Sequence, residues 1–331
     1  MPSSKKRPNE GSLGSSTSPP LKRRKLSPTL VAIIFSSSKW VNAVPVEVWR
    51  DKVCKQFLTL KELSILRRTH TSFLDFWHHA MKQNVIRVPQ GCPTVEKAMA
   101  LAVVFSERKQ YTATEPLKIV LDKGVHELVG NGKTLEVTCS HITFVGKGKD
   151  HTTIRGGFYV CNKQNVSFEQ VTITNPNEAG VELEGSATNV DVLKCTLKEC
   201  EDAGLYAHKG ATVTATQCEF MANVGDGVNC DDQHTTARLN NCTMHHNGEN
   251  GVYAFFGAVV DLLGTKTDIH ANKCDGMLAK VGGKVNIHLP SEHNTSHGNG
   301  KENRSGSIAN INDDGTFTHE AVMEVEDDDD D

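Results

Sequence analysis

Between Val166 and Ile287 the apolar residues come in short runs with a spacing of two, and the runs recur with a longer period marked by glycine. Gly180, Gly204, Gly227, Gly251 and Gly276 stand 24, 23, 24 and 25 residues apart. Nine residues before each glycine lie Val171, Cys195, Cys218, Cys242 and Thr267, and seven before lie Ile173, Leu197, Phe220, Met244 and Ile269. One residue after come Val181, Leu205, Val228, Val252 and Met277, and three after come Leu183, Ala207, Cys230, Ala254 and Ala279. A further strand carries Val190/Val192, Val213/Ala215, Ala237/Leu239, Val260/Leu262 and Val285/Ile287. Each repeat thus holds three short strands with one buried face. A unit of this size cannot bury its own apolar face, so successive units must stack. The expected fold is mainly β, a right-handed parallel β-helix of about seven coils over residues 116–290. The glycines suit turns that need positive φ, and Asn223, Asn247 and Asn272 are placed to stack as a side-chain ladder. A leucine-rich repeat would require a leucine frame and a helical segment, and neither is present.

The flanks supply ends for the stack. Pro116 to Gly124, Leu135 to Val137 and Ile142 to Gly146 resemble the opening turns of pectin-lyase-like β-helices. Pro93 to Arg108, with Val95, Met99, Ala102 and Val103 on one face, is a helix suited to plug the open end, within a capping segment at 91–115. At the other end Ile308 to Phe317 reads as a hairpin around Asp314-Gly315, within a C-terminal cap at 291–318.

The amino-terminal region has a different pattern. Val46, Trp49, Val53 and Phe57 share one helical face, and Thr59 and Glu62 form a capping box. Over residues 39–90 the order Val44 to Glu47, Phe57 to Leu63, Ile65 to Arg68 and Phe73 resembles an F-box, which docks on the Skp-type adaptor of cullin-RING ubiquitin ligases. The resemblance implies an adaptor contact at Pro45, Glu47, Trp49 and Leu63. The alternative is a helical cap or dimerisation element. Pro19 to Pro28 resembles a nuclear localisation signal, implying that an importin receives Lys22, Arg23, Arg24 and Lys25 and that the protein is nuclear.

Charge adds one point. The net value of -4 averages a basic start, residues 1–38, against an acidic end, residues 319–331. Like-charged blocks repel and stay solvated, so both are expected to be disordered tails. No stretch is apolar for long enough to span a bilayer, and nucleic acid is expected to meet only the basic tail, without specificity.

Catalysis is not expected from these rows. Glu184, Asp231, Asp232, His234 and Arg238 are the candidates, but Glu184 and Asp231 lie two coils apart with His208 between them. His245 and His270 fall in one outward row, which Glu292 could continue. They are expected to be stacked surface histidines rather than a metal site, and no cofactor is implied. Cys195, Cys218 and Cys242 are expected to be core thiols. Tyr206, His208, Asp231, Tyr253 and Phe255 project from one sheet and form the expected partner-binding surface for a protein substrate. The expected function is therefore the substrate-recognition subunit of a ubiquitin ligase, with no chemistry of its own. The alternatives are a non-catalytic nuclear scaffold and a divergent polysaccharide lyase or hydrolase.

Overall fold

Short period-2 strands with one apolar face can be satisfied only by stacking, and the computed structural model has that arrangement. It describes residues 83–107, 109–129, 133–288, 295–311 and 317–319. The chain divides into units 1–70 and 71–331, and the described residues belong to the second. Lys22, Arg23, Arg24, Lys25, Pro45, Glu47, Trp49, Leu63 and the acidic tail lie outside the described residues.

Three parallel sheets run along a right-handed solenoid. The first has 11 strands, from Val85–Val88 through Asn189–Leu193 to Ile308–Ile311, and ends on Phe317–His319; the second and third have 8 each. The chain visits them in turn: Thr212–Thr216 in the first, Glu219–Met221 in the second and Val228–Cys230 in the third make one coil. The inward rows read from the sequence are the rows observed. Ile173, Leu197, Phe220, Met244 and Ile269 face one another in register on adjacent strands, and none is more than 1% exposed. Val181, Leu205, Val228, Val252 and Met277 do the same in the third sheet. Phe144, Phe158 and Phe168 fill the early coils with ring centroids 4.7–5.2 Å apart. Burying one such side chain contributes about 1.5–3 kcal/mol.

The repeat glycines serve a different purpose from the one expected. None of Gly180, Gly204, Gly227, Gly251 and Gly276 is among the positive-φ residues. They are small because the coils close in on them: a Cβ on Gly227 would lie 2.6 Å from the Gly251 carbonyl oxygen and 2.9 Å from Asn247 Nδ2. Left-handed corners fall to other residues, among them Lys194, Gln217 and Asn241, and Glu199, Ala222, His246 and Ala271, with φ of 53–57°.

Two buried polar ladders tie the coils. In the first, the Oδ1 atoms of Asn247, Asn272 and Asn299 each accept from the backbone N–H (3.1–3.2 Å) and Nδ2 (2.8–3.0 Å) of the ladder asparagine one coil earlier. Asn299 ends the ladder by donating to Ser296 Oγ and Asn303 Oδ1 in its own coil. The second ladder runs the opposite way. Asn250 donates its backbone and side-chain amides back to Asp226, and the backbone of Asp275 donates back to Asn250. The described cysteines are free; Cys195, Cys218 and Cys242 are buried within the stack, and burial pushes the Cys200 and Cys230 thiols up to about 12.

The ends carry a helix and an antiparallel strand pair, while the turn expected at Asp314-Gly315 lies outside the described residues. Helix α1, Val95–Ser106, is N-capped by Thr94, whose side chain accepts from Lys97 N. It buries Val95, Met99, Ala102 and Phe105 into the same core as Ile86 and Ile119. At the far end, Thr295–His297 and Arg304–Gly306 extend the second and third sheets. The stack therefore has eight coils, in keeping with the expected β-helix of about seven, and these strands, from the segment expected to cap it, belong to its last turn. Ile308–Ile311 and Phe317–His319 pair antiparallel as a hairpin should. Among the described residues no helix is long and apolar enough to cross a membrane.

Candidate functional site on the third sheet

Alternation along the third-sheet strands turns every second side chain outward. Register then assembles them in two rows along the solenoid axis. One row runs Tyr159, Glu182, Tyr206, Asn229, Tyr253. The other runs Cys161, Glu184, His208 and continues just past the strands through Asp231 and Phe255, whose backbone N–H groups bond to Ala207 and Cys230. All five residues expected to bind a partner thus lie on one face. His208 is nevertheless only 8% exposed, because Tyr206 stacks on it at 4.7 Å with the rings 3° from parallel.

The polar groups here are connected. The Tyr159 hydroxyl donates to Glu184 Oε2, and Lys209 Nζ donates to Glu184 Oε1 at 2.9 Å. These bonds, the tyrosine's first, hold the Glu184 carboxyl below the usual carboxylate range, and the same bond pushes the Tyr159 phenol up. His208 Nε2 lies 3.3 Å from Glu182 Oε1, and a ligand atom from each of Glu182, Glu184 and His208 lies within 4.8 Å of the others. Burial pushes the Tyr206 phenol up to about 12. Asp232 Oδ2 accepts from the backbone of Lys209, and Asp231 Oδ1 from the backbone of Asp232. Phe255 lies 5.6 Å from Tyr253, and the neighbouring Phe256 is 49% exposed. Arg238 projects from the first sheet, away from this cluster.

Sequence reasoning missed Tyr159, Glu182 and Lys209. The signal was available in register: Glu182 stands two residues before Glu184 on the same strand, so both carboxylates face outward beside His208. Comparing Glu184 with Asp231 alone hid this pair.

The chain matches the model of the right handed beta helix region over residues 128–299, more than half of its length. A search of curated proteins finds no match. Among solved structures it is similar to the pectin methylesterase PemA of Erwinia chrysanthemi, at 14% identity and TM-score 0.48, covering 71% of this chain and 84% of that one. It is also similar to pectate lyase Pel9A, at 17% identity and TM-score 0.44, covering 59% and 66%. A third similarity is to the A-module of the mannuronan C-5 epimerase AlgE6 of Azotobacter vinelandii, at 13% identity and TM-score 0.24, covering 66% and 89%. At these identities the likeness is one of fold. It still corrects the expectation that the chain carries no chemistry of its own, since the solenoids it resembles include an esterase, a lyase and an epimerase. The matched model and the observed eight-coil stack together make the chain a member of the right-handed β-helix family.

Proposed function

We propose that the third-sheet face binds a polysaccharide along the solenoid axis and acts on it at Glu182, Glu184 and His208. One observation carries the reading: the carboxylates and the imidazole converge within 4.8 Å, in rows that also hold Tyr159, Tyr206, Tyr253 and Phe255. Aromatic faces pack against the apolar faces of sugar rings, and a row with one residue per coil offers contacts about 4.8 Å apart to an extended polymer. Glu182 orients the His208 ring, which exchanges a proton with the sugar. Glu184 stays ionised beside Lys209, whose ammonium group suits the carboxylate of an acidic sugar. The test incubates the full chain with pectin and with mannuronan, following released methanol, reducing ends, unsaturated ends and epimerised residues. His208→Ala and Glu184→Gln should each lower turnover about 100-fold or more, whereas Tyr253→Ala should raise KM with little change in kcat. A parent protein that neither binds nor converts either polymer sinks the reading.

A second reading rests on the sequence of the amino-terminal region. The F-box-like order supports docking of a Skp-type adaptor and its cullin through Pro45, Glu47, Trp49 and Leu63, with the β-helix holding a protein substrate. The basic cluster supports importin-driven entry into the nucleus. Trp49→Ala combined with Leu63→Ala should weaken adaptor recovery about tenfold or more, since truncating apolar anchors costs roughly 1–2 kcal/mol or more. Removing residues 1–28 should abolish nuclear accumulation. Recovery of neither adaptor nor cullin by the intact chain ends this reading.

A further inference from the structure

A separate cluster lies on the outer face of the second sheet. His245, His270 and His297 face one another in register on three adjacent strands. Their rings are stacked with centroids 5.1 and 5.3 Å apart and planes within 6° of parallel. The row continues through His297, and Glu292 lies outside the described residues. His246 joins it from the side, edge-on to both His245 and His270. Consecutive residues of a strand point to opposite faces. Here His246 turns the corner at φ 57°, so its ring comes round beside that of His245, with their Nδ1 atoms 2.7 Å apart.

We propose that His245, His246 and His270 hold one divalent transition-metal ion of the zinc, nickel or copper type. One ring nitrogen from each lies within 4.8 Å of the others, and imidazole is a ligand these ions favour. The surroundings supply the partner that ligating histidines ordinarily have. His245 Nε2 lies 3.2 Å from Glu219 Oε1, and Glu219 is itself fixed by Lys149 Nζ at 2.7 Å and Thr196 Oγ1 at 3.1 Å. A carboxylate accepting the Nε2 proton leaves the Nδ1 lone pair of His245 directed at His246, the arrangement of a carboxylate–histidine–metal triad. Moving the His246 proton from Nδ1 to Nε2 then presents a second lone pair without any net proton change. With metal–nitrogen bonds of about 2.0–2.1 Å, two tetrahedral nitrogen ligands sit about 3.3 Å apart. The nitrogens reach that spacing by side-chain rotation, since His246 is exposed and the other two are half-buried. Water completes the coordination on the open side.

The experiment titrates Zn²⁺ into the full chain against a chromophoric chelator and records the visible spectrum with Co²⁺. The expected result is one ion per chain, with a tetrahedral or five-coordinate Co²⁺ spectrum lacking thiolate charge transfer. His246→Asn, which keeps a residue tolerant of the left-handed corner, and His270→Ala should each weaken binding at least tenfold. Glu219→Gln should weaken it about 10–100-fold. His234→Asn, another exposed left-handed histidine, should change nothing, and circular dichroism checks that every variant is folded. Absence of binding to the parent, or folded His246→Asn and His270→Ala variants that bind as the parent does, overturns the proposal. Loss confined to His297→Ala overturns it as well, since the ion would then lie between His270, His297 and Asp268.

Discussion

Asp226 is a single residue whose surroundings make a testable statement about pH. It is 2% exposed, and its carboxylate accepts from Asn250 twice at 2.9 Å and from Asn229 at 3.0 Å. Burial outweighs these bonds and pushes the carboxyl up from 3.8 to about 6. The folded chain therefore holds this proton more tightly than the unfolded chain. The group's contribution to stability is complete below the unfolded pKa and is lost as pH rises through about 6. Asp226→Asn, which resembles the protonated acid, should raise the melting temperature near pH 8 and leave it unchanged near pH 4. A shift of about two pKa units bounds the gain at roughly 3 kcal/mol. Equal gains at both pH values would contradict the assignment. The row containing Asp226 escaped the sequence reading because apolar alternation marks what faces the core and is silent about buried polar groups that satisfy one another.

At the scale of elements, the inward rows were legible because each coil must place apolar side chains at fixed positions on three strands. The eighth coil was not. In register with Ile269 it has Ser296, and in register with Met277 and Ala279 it has Arg304 and Gly306. Only one neighbour covers a terminal coil, so polar residues are tolerated there and the pattern that announces a coil disappears. The asparagine ladder was legible in part, since three of its members share one offset from the glycine, while Asn299 falls after the last repeat glycine and outside that frame. Its central member is open to a direct test. Asn247→Ala removes the acceptor of both the backbone and side-chain donors of Asn223, which should cost about 2–5 kcal/mol. Asn223→Ala orphans a single donor, the Cys200 N–H, and takes one donor each from the Leu197 carbonyl oxygen and Asn247 Oδ1; it should cost about 1–3 kcal/mol. Chemical denaturation of the two variants measures the difference, and equal losses would mean that the ladder is not read correctly.

For the whole molecule, stability follows from each coil touching only its neighbours. Phe220 is fully buried between Leu197 and Met244, so Phe220→Asp puts an unpaired charge at the centre of the stack. The expected outcome is loss of the single cooperative melt, by more than about 4 kcal/mol, with protease cleavage opening near the lesion. A soluble variant that melts like the parent would show that the rows are misaligned. The candidate site was less legible than the core for a reason at this same scale. Its polar pairs join residues about one coil apart, such as Tyr159 with Glu184 and Lys209 with Glu184. A reading along the chain meets these residues far apart, and only the register brings them together.

The opposed directions of the two polar ladders bear on the order in which the solenoid is completed. A coil leaving the ribosome can lend the donors of its Asn250-type position at once to the coil already formed behind it. At its asparagine-ladder position one Nδ2 hydrogen also bonds back to a carbonyl of the coil behind, but the backbone N–H and the other Nδ2 hydrogen must wait for the coil still to be made. Every partially synthesised stack therefore carries one buried amide pair short of an acceptor at its growing end. Asn299 closes that account by placing its side-chain donors on Ser296 Oγ, Asn303 Oδ1 and the Ile269 carbonyl oxygen, so the ladder ends without needing an acceptor from a further coil.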